Sequence, residues 1–270
     1  MKLPGFRDWL RLVLMYRAPH ARSRAILDVV ERLLDAPWVT HVLLHGEPGT
    51  GKEGLARGLH QAMHPGGDAP FVKMPTGGRD PAVLALHLFG TRERQGAIAR
   101  AEGGTLFLDE VATLPREIQA RLAPVLRGRY RRNDDEAPQP CRVCVMGATD
   151  HDLAARVAEG AFRHDLHHRL SRIELTIPPL RERADDIPGA ALWAGNRLLE
   201  NHGRTPNLVR ADDAEAGERV LTEGALEVLR AHPWPGNFRE LDRAMERALF
   251  LYATGQQVTA DDVRAAIGGV

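Results

Sequence analysis

A glycine-rich segment that begins at Gly46, GEPGTGKE, limits the folds open to this chain. The apolar run of residues 39–45 comes directly before it and suits a buried strand that ends in a tight turn. After the segment, Leu55 and Leu59 continue at helical spacing. A strand, a glycine-rich loop and a helix in this order form a site in which backbone N–H groups surround phosphate oxygens. The sequence therefore predicts that this segment binds the phosphates of a nucleotide.

The segment fits the pattern G-x-x-x-x-G-K, in which the lysine, here Lys52, reaches the β and γ phosphates. Glu53 follows the lysine, where the general pattern has a serine or threonine hydroxyl that binds magnesium. A glycine-rich turn without a ligand is the alternative, and the flanking strand and helix argue against it. The predicted nucleotide-binding residues of the segment are Gly46, Glu47, Pro48, Gly49, Thr50, Gly51, Lys52 and Glu53.

A second motif, TLFLDE, carries Asp109 and Glu110 at the end of an apolar run. The carboxyl ends of strands are where ligands bind in open α/β sheets. We expect Asp109 to hold Mg²⁺ through water and Glu110 to orient and polarise the attacking water, because phosphoryl transfer needs a positioned nucleophile and neutralised charge. Together the two motifs predict a nucleoside triphosphatase that uses ATP and Mg²⁺.

Further apolar runs alternate with helical patterns such as residues 116–126. This alternation predicts an α/β fold with a five-stranded parallel sheet flanked by helices. The additional strands are predicted at residues 71–74, 105–108, 142–148 and 173–177.

After residue 179 the pattern is helical alone, apart from a polar connection at residues 203–218. The helices of this part are predicted at residues 186–200, 222–231, 237–252 and 260–267. The domains predicted from these patterns are an N-terminal extension at residues 1–23, a nucleotide-binding α/β domain at residues 24–180 and a smaller all-α lid domain at residues 181–270.

Composition argues against several classes of function. The 36 basic and 36 acidic residues cancel, so the chain as a whole presents no strongly basic surface to nucleic acid or to an anionic membrane. Cys141 and Cys144 are too few for a disulfide framework and lie in an apolar run, so we expect two core thiols in a reducing, cytoplasmic compartment.

Residues 6–16 are too short and too charged to span a membrane, and we interpret them as a docking helix. The basic run at residues 127–132 is followed by acidic residues, which predicts a charged hairpin.

Several segments of the chain are distinctive beyond the phosphate loop. They are LFG at residues 88–90, EGGTLFLDE at 102–110, GAFRHDLHHRL at 160–170, PPLRERADDI at 178–187 and HPWPGNFREL at 232–241. From about residue 24 to residue 267 the chain thereby resembles the AAA+ central domain of bacterial enhancer-binding proteins, the NtrC-like activators that act on sigma-54. In that family a glutamate follows the phosphate-loop lysine, as Glu53 does here. The resemblance implies an ATPase that works as a homo-oligomeric ring, with a hexamer expected.

The resemblance also assigns roles to four further residues. Arg163 and Arg169 match the two arginine fingers that complete the site of a neighbouring subunit. Arg239 matches the lid arginine, sensor II, which responds to the γ phosphate in its own subunit. Thr149 matches the polar sensor I position. The next residue is Asp150, where the family has asparagine or histidine, and it adds a negative charge near the phosphates.

Two departures from the family lie on one functional pathway. Between residues 90 and 102 the family carries a long loop whose tip reads GAFTGA and contacts sigma-54, whereas this chain has a shorter segment and no GAFTGA. Contact with sigma-54 in the family's manner is therefore not expected. Pro75 stands where the family has an asparagine that pairs with the glutamate at the Glu110 position, and proline has no side-chain hydrogen bond to offer.

Three interpretations of function remain open. The first is an ATPase ring that remodels or regulates a protein partner other than sigma-54. The second is a transcription regulator that acts through sigma-54 or RNA polymerase with a shortened loop, and the third is a nucleotide-gated scaffold with little turnover. The sequence shows no helix-turn-helix pattern, so we expect no DNA-binding domain of its own. Because it begins with methionine, we expect a complete or nearly complete small protein.

Overall fold

The computed structural model describes residues 41–64, 66–205 and 207–268. These residues fall into two compact units. The first, the α/β unit, contains residues 41–47 and 52–177, and the second, the helical unit, contains residues 48–51 and 178–268. The predicted docking helix at residues 1–23 lies outside the described residues.

The strands of the α/β unit form a five-stranded parallel sheet and a short hairpin. In chain order they are β1 (His41–His45), β2 (Phe71–Pro75), β3 (Thr105–Asp109), β4 (Arg129–Tyr130), β5 (Gln139–Pro140), β6 (Cys144–Thr149) and β7 (Glu174–Thr176). The parallel sheet has the order β2-β3-β6-β1-β7 and confirms the predicted five-stranded sheet. β4 and β5 pair antiparallel and form the hairpin predicted for the basic run at residues 127–132.

Six helices accompany these strands. They are α1 (Lys52–Met63), α2 (Pro81–Phe89), α3 (Ala97–Arg100), α4 (Arg116–Val125), α5 (Leu153–Ala158) and α6 (His164–Leu170), with a 3₁₀ turn at Val111–Thr113. Asp80 starts α2 by accepting hydrogen bonds from the N–H groups of Ala82 and Val83, and Pro81 suits the first helical position because it has no N–H to leave unpaired. Within the described ranges, no helix combines the length and apolarity needed to cross a bilayer.

The central strands are buried on both faces. Leu43, Leu106 and Val145 are at most 1% exposed, as expected for a parallel sheet covered by helices. Leu84 of α2 and Leu122 of α4 pack into the same core and are fully buried. Burial of each such side chain contributes about 1.5–3 kcal/mol.

The strand predicted at residues 142–148 begins only at Cys144. The N–H of Arg142 donates to the carboxylate of Glu102 at 3.1 Å, so it is not available to the sheet at this point. Cys141 is buried and Cys144 is partly buried, and both are free thiols. Burial raises the pKa of Cys141 to about 11 and that of Cys144 to about 12, which makes both thiols unreactive core residues, as predicted.

The helical unit confirms the predicted helices and adds a small sheet. Its helices are α7 (Ile187–Asn201), α8 (Glu223–Ala231), α9 (Asn237–Arg247) and α10 (Ala260–Gly268), with 3₁₀ turns at Leu180–Glu182, Ala184–Asp186 and Ala211–Asp213 and a π turn at Ala248–Tyr252. Its strands are β8 (Leu208–Arg210), β9 (Arg219–Leu221) and β10 (Gln257–Val258). The three strands pair in parallel, whereas the sequence predicts helices and a polar connection here. Strands of two or three residues are too short to show an alternating pattern.

Candidate functional site

Three neighbouring strands of the parallel sheet carry predicted site residues at their carboxyl ends. β1 leads into the phosphate loop (residues 46–53), β3 ends at Asp109, and β6, which lies between them, ends at Thr149. The N–H of Gly46 donates to the carbonyl oxygen of Thr149 at 3.1 Å and ties the start of the loop to the end of β6. The predicted residues therefore share the edge of the sheet at which open α/β sheets bind ligands.

Lys52 is the first residue of α1, and its side chain turns back over the loop that precedes it. Its Nζ atom donates to the carbonyl oxygens of Gly46 and Glu47, the latter at 2.9 Å. The first N–H groups of a helix have no acceptor inside the helix, and the helix dipole favours an anion at this end. The ammonium group and the start of α1 thus lie together in an arrangement that suits phosphate oxygens.

Glu53, Lys73 and Asp109 form a charged cluster that links α1, β2 and β3. The Nζ atom of Lys73 lies 2.6 Å from Oε2 of Glu53 and 3.4 Å from Oδ2 of Asp109. Arg57 pairs with the other oxygen of Glu53 at 2.9 Å. Partial burial acts to raise the pKa of the Glu53 carboxyl, but the hydrogen bonds from Lys73 and Arg57 outweigh it and lower the pKa. Burial acts to lower the pKa of Lys73. The hydrogen bond to Glu53 and the negative charges of Glu53 and Asp109 outweigh burial and raise the pKa.

The chemistry of this cluster fits a magnesium ion. Mg²⁺ prefers oxygen ligands and is usually held in nucleotide sites by one or two carboxylates, with phosphates and water completing its coordination. Asp109 and Glu53 supply carboxylates, and the Asp109 side chain is 27% exposed. No group of three or more His, Cys, Asp or Glu side chains among the described residues is arranged to hold a metal ion by itself. The Lys73 ammonium already contacts both carboxylates, so it competes with a cation for them.

Glu110 has a left-handed backbone, with φ 64° and ψ 46°. This conformation is uncommon outside glycine and costs free energy, so neighbouring residues must hold it. The Thr76 hydroxyl donates to the carbonyl oxygens of Asp109 at 2.8 Å and Glu110 at 2.7 Å, and the Thr113 hydroxyl donates to that of Glu110 at 2.8 Å. The exposed Glu110 side chain lies against Gly77, where a Cβ atom would overlap Oε2.

Pro75 is paired in register with Asp109, on the neighbouring strand. It is exposed and has no side-chain donor, so it cannot form the side-chain hydrogen bond to Glu110 that the family resemblance implies for this position. Thr76 instead fixes the backbone of Glu110, while the carboxylate itself is left exposed.

Thr149 and Asp150 make local contacts beyond the end of β6. The buried Thr149 hydroxyl accepts a hydrogen bond from the N–H of His151 at 3.0 Å. Asp150 is exposed, and its carboxylate lies 3.3 Å from Nδ1 of His151.

Arg163 and Arg169 lie at the two ends of α6. The guanidinium group of Arg163 forms two hydrogen bonds with Asp165, at 2.9 and 3.1 Å, and is 36% exposed. The hydrogen bonds from Arg163 lower the pKa of Asp165. The backbone of Arg163 is fixed by Gln119, a fully buried residue whose Oε1 accepts its N–H at 2.8 Å and whose Nε2 donates to Ala161 at 3.0 Å.

The segment between α2 and α3, residues 90–96, is a short turn. Gly90 pairs with Gln95, and the N–H of Thr91 donates to the carbonyl oxygen of Arg94 at 2.8 Å. The turn is braced against the connection between β4 and β5, because the N–H of Arg92 donates to the Asp134 carboxylate at 2.9 Å. These contacts describe a compact turn rather than a long projecting loop.

The central part of the phosphate loop, residues 48–51, belongs to the helical unit. Within this unit Arg239 is exposed on the first turn of α9, and a Cβ atom at Gly49 would lie 3.4 Å from its Cγ. Asn237 donates from Nδ2 to the carbonyl oxygen of Pro48 at 3.0 Å. The predicted sensor II arginine thus lies beside the part of the loop that was predicted to bind phosphate.

Sequence reasoning missed Lys73, Thr76, Gln119 and Asn237. A signal existed for Lys73, because a charged residue inside an otherwise apolar run is unusual for a strand of a parallel sheet. Thr76, Gln119 and Asn237 act through contacts with residues 34 to 189 positions away in the chain, which no local pattern indicates.

Comparisons with known proteins agree with this arrangement. Residues 18–176 match the family described as the sigma-54 interaction domain, and residues 181–269 match the AAA+ ATPase lid domain. The acetoin catabolism regulatory protein of Cupriavidus necator is 39% identical over 240 residues, which cover 85% of this chain and 33% of that protein. The DNA-binding transcriptional regulator NtrC of Escherichia coli is 38% identical over 232 residues, which cover 82% of this chain and 46% of that protein.

The crystal structure of NtrX from Brucella abortus in complex with ATP is also similar. Its sequence is 32% identical, the TM-score is 0.79, and the match covers 97% of this chain and 56% of that chain. This chain therefore spans from a third to somewhat over half of the length of these proteins. The family matches, the identities and the parallel five-stranded sheet establish that the chain belongs to the NtrC-like family of AAA+ proteins with a sigma-54 interaction domain.

Proposed function

We propose that this chain binds ATP with Mg²⁺ and hydrolyses it, and that it does so in a ring assembled from copies of the chain. The observation that carries the proposal is the shared edge of the sheet, where Lys52 follows β1 and Asp109 ends β3. The ATP complex of NtrX supports ATP as the nucleotide.

The residues of the α/β unit divide the chemistry among them. Lys52 contacts the β and γ phosphates, and Asp109 holds the metal through water. When bound, Mg²⁺ neutralises the charge that develops on the phosphate oxygens. Glu110 orients and polarises the attacking water, and its exposed carboxylate and its fixed backbone support this role. Thr149 acts as the polar sensor at the end of β6.

In this proposal, assembly supplies each nucleotide site with arginine side chains from a neighbouring subunit. Arg163 and Arg169 lie on the partly exposed helix α6 and reach the phosphates of a neighbouring subunit. An arginine finger stabilises the transition-state charge and contributes about 10³–10⁵ in kcat. Arg163 pairs with Asp165 in the single chain, so binding to a neighbour's phosphate exchanges one anionic partner for another. Arg239 responds to the γ phosphate in its own subunit.

Regulation of transcription is the role that we propose for this ATPase. The proteins similar to it carry the names of transcription regulators, and the family is that of the sigma-54 interaction domain. The compact turn at residues 90–95 favours a second candidate, in which the ring acts on a protein partner other than sigma-54.

ATP hydrolysis at a series of protein concentrations tests the proposed activity. We expect the rate per chain to rise with concentration and the Glu110→Gln variant to lose about 10²–10⁴-fold in kcat while still binding ATP. Arg142→Ala, which removes a side chain that is 90% exposed and pairs with Glu102, serves as the control and should retain activity. ATP binding without hydrolysis in the wild-type chain would exclude the ATPase and favour the nucleotide-gated scaffold.

Binding of sigma-54 to the Glu110→Gln variant in ATP and in ADP distinguishes the two candidate targets. Binding in ATP alone would support action through sigma-54 despite the short turn. Equal absence of binding in both nucleotides, with the ring assembled, would leave another protein partner as the target.

A further inference from the structure

Three consecutive carbonyl oxygens of the phosphate loop accept hydrogen bonds from elsewhere in the helical unit. Pro48 accepts from Nδ2 of Asn237 at 3.0 Å, and Gly49 accepts from the N–H of Phe238 at 3.0 Å. Thr50 accepts from Nη2 of Arg183 at 3.1 Å. We call these three donors the carbonyl clamp.

The clamp determines which way the peptide groups of the loop face. In a trans peptide the N–H of each residue points away from the carbonyl of the residue before it. With their carbonyls turned to the clamp, the peptide groups direct the N–H groups of Gly49, Thr50 and Gly51 to the opposite side of the loop. Successive N–H groups that face one way form an anion-binding nest, which is what a phosphate requires.

Asn237 is held in place independently of the loop. It is fully buried, and its left-handed backbone, with φ 52°, is one that asparagine tolerates better than most residues. Its Oδ1 accepts the N–H of Leu180 at 2.7 Å, and its own N–H donates to the carbonyl oxygen of Trp234 at 2.8 Å. The turn leaves space only for glycine at Gly49, where a Cβ atom would lie 2.5 Å from the carbonyl oxygen of Gly236.

Arg183 provides the third donor from a fully buried position. Its guanidinium group lies 4.9 Å from the centre of the Phe238 ring, so the two residues that carry the second and third donors also contact each other through their side chains. Burial lowers the pKa of Arg183 to about 10, although the charge of Asp186 opposes the change. The group therefore remains protonated at neutral pH and keeps its hydrogen-bond donors.

We infer that the carbonyl clamp presets the phosphate loop for ATP and makes Asn237 and Arg183 positioning residues of the nucleotide site. The clamp binds the carbonyl groups of the same peptides whose N–H groups bind the phosphate. ATP binding is thereby coupled to the segments around Leu180 and Asn237. The inference rests on the proposed binding of ATP, but the integrity of the clamp can be measured without nucleotide.

Asn237→Gly is the direct test, because glycine keeps the left-handed backbone and removes the side-chain hydrogen bonds with Leu180 and Pro48. Asn196→Gly is the matched control. Asn196 also bridges a backbone carbonyl and a backbone N–H, both of Leu208 at 2.8 Å, within the same unit but away from the loop. Two measurements apply to each variant: hydrogen exchange of the Phe238 amide without nucleotide, and the Kd for ATP.

We expect Asn237→Gly to accelerate exchange at Phe238 and to weaken ATP binding about tenfold, in line with the loss of one to two hydrogen bonds. Asn196→Gly should lower the Tm but leave both readings unchanged. Arg183→Lys keeps the charge and loses the planar guanidinium group, so it should weaken ATP binding several-fold even if Asn237→Gly fails to fold.

Equal effects of Asn237→Gly and Asn196→Gly on the Kd would overturn the inference, as would faster exchange at Phe238 with unchanged ATP affinity. Failure of the wild-type chain to bind ATP is a different result. It would overturn the proposed function and with it the role of the clamp in nucleotide binding.

Discussion

Lys73 forms an ion pair with Glu53, the residue that takes the place of the usual magnesium-binding hydroxyl after the phosphate-loop lysine, with Nζ 2.6 Å from Oε2. The same ammonium group lies 3.4 Å from Asp109. One lysine thus contacts the carboxylates of both Glu53 and Asp109, which the charged cluster would offer to a metal ion. The requirement of the site for Mg²⁺ should therefore depend on Lys73.

Replacement of Lys73 by methionine should raise the affinity for Mg²⁺. The change removes a competing cation, so that Asp109 loses its lysine partner and Glu53 keeps only its pair with Arg57. We expect the Mg²⁺ concentration at half-maximal ATP binding to fall about fivefold, a modest effect because the cluster is partly exposed. A titration of Mg²⁺ at fixed ATP, followed by calorimetry, measures it. Arg57→Met is the control, because Arg57 pairs with Glu53 without an ion pair to Asp109. The same midpoint in wild type and Lys73→Met would show that Lys73 does not compete.

Replacement of Thr76 by valine should lower kcat about tenfold, with little change in KM. Valine keeps the shape of the side chain but removes the hydroxyl that fixes the left-handed Glu110, so the carboxylate is less well positioned. Thr76→Ser retains the hydroxyl and should restore most of the rate. Steady-state kinetics of the two variants decide the matter, and equal loss in both would point to packing rather than hydrogen bonding.

His41 should make the stability of the α/β unit depend on pH. Burial lowers the pKa of His41 from 6.5 to about 4, although the hydrogen bond to Leu126 opposes the change. The N–H of Val145 donates to Nδ1 and Nε2 donates to the Leu126 carbonyl, so the ring is neutral when folded. Below pH 6.5 the unfolded chain takes up a proton that the folded chain does not, so stability is lost as the pH falls toward 4, by up to about 3 kcal/mol.

Urea unfolding of the wild type and of His41→Gln at pH 7, 5.5 and 4.5 tests this dependence. The variant should be less stable at pH 7 but should lose less free energy of unfolding as the pH falls. Parallel decline in the two proteins would assign the pH dependence to other groups.

The sequence predicts the parts of the fold that depend on local pattern. The five parallel strands follow from buried apolar runs, and the position of Lys52 follows from the spacing of the phosphate-loop motif. The sequence does not predict β8, β9 and β10, because strands of two or three residues are too short to show an alternation of apolar and polar residues.

Contacts within the site depend on partners that are distant in the chain. The sequence predicts that Pro75 cannot supply the side-chain hydrogen bond to Glu110 that the family resemblance implies, but the hydrogen bond from Thr76 to Glu110 appears only in the structure. In the same way, the sequence contains Arg183 within PPLRERADDI without indicating that it is buried and bonded to Thr50. Tertiary packing sets the direction and burial of a side chain, so a sequence motif alone does not predict the contacts of the site.

Hydrolysis of ATP by a mixture of two inactive variants tests the central claim, that neighbouring subunits complete each other's sites. Glu110→Gln lacks the residue that acts on water in its own site, and Arg163→Ala lacks the residue supplied to a neighbour. Each variant alone should be inactive. In mixed rings, an Arg163→Ala subunit that retains Glu110 receives Arg163 from a Glu110→Gln neighbour, so the account predicts that activity returns on mixing. No recovery, in a mixture shown to bind ATP and to co-assemble, would contradict it.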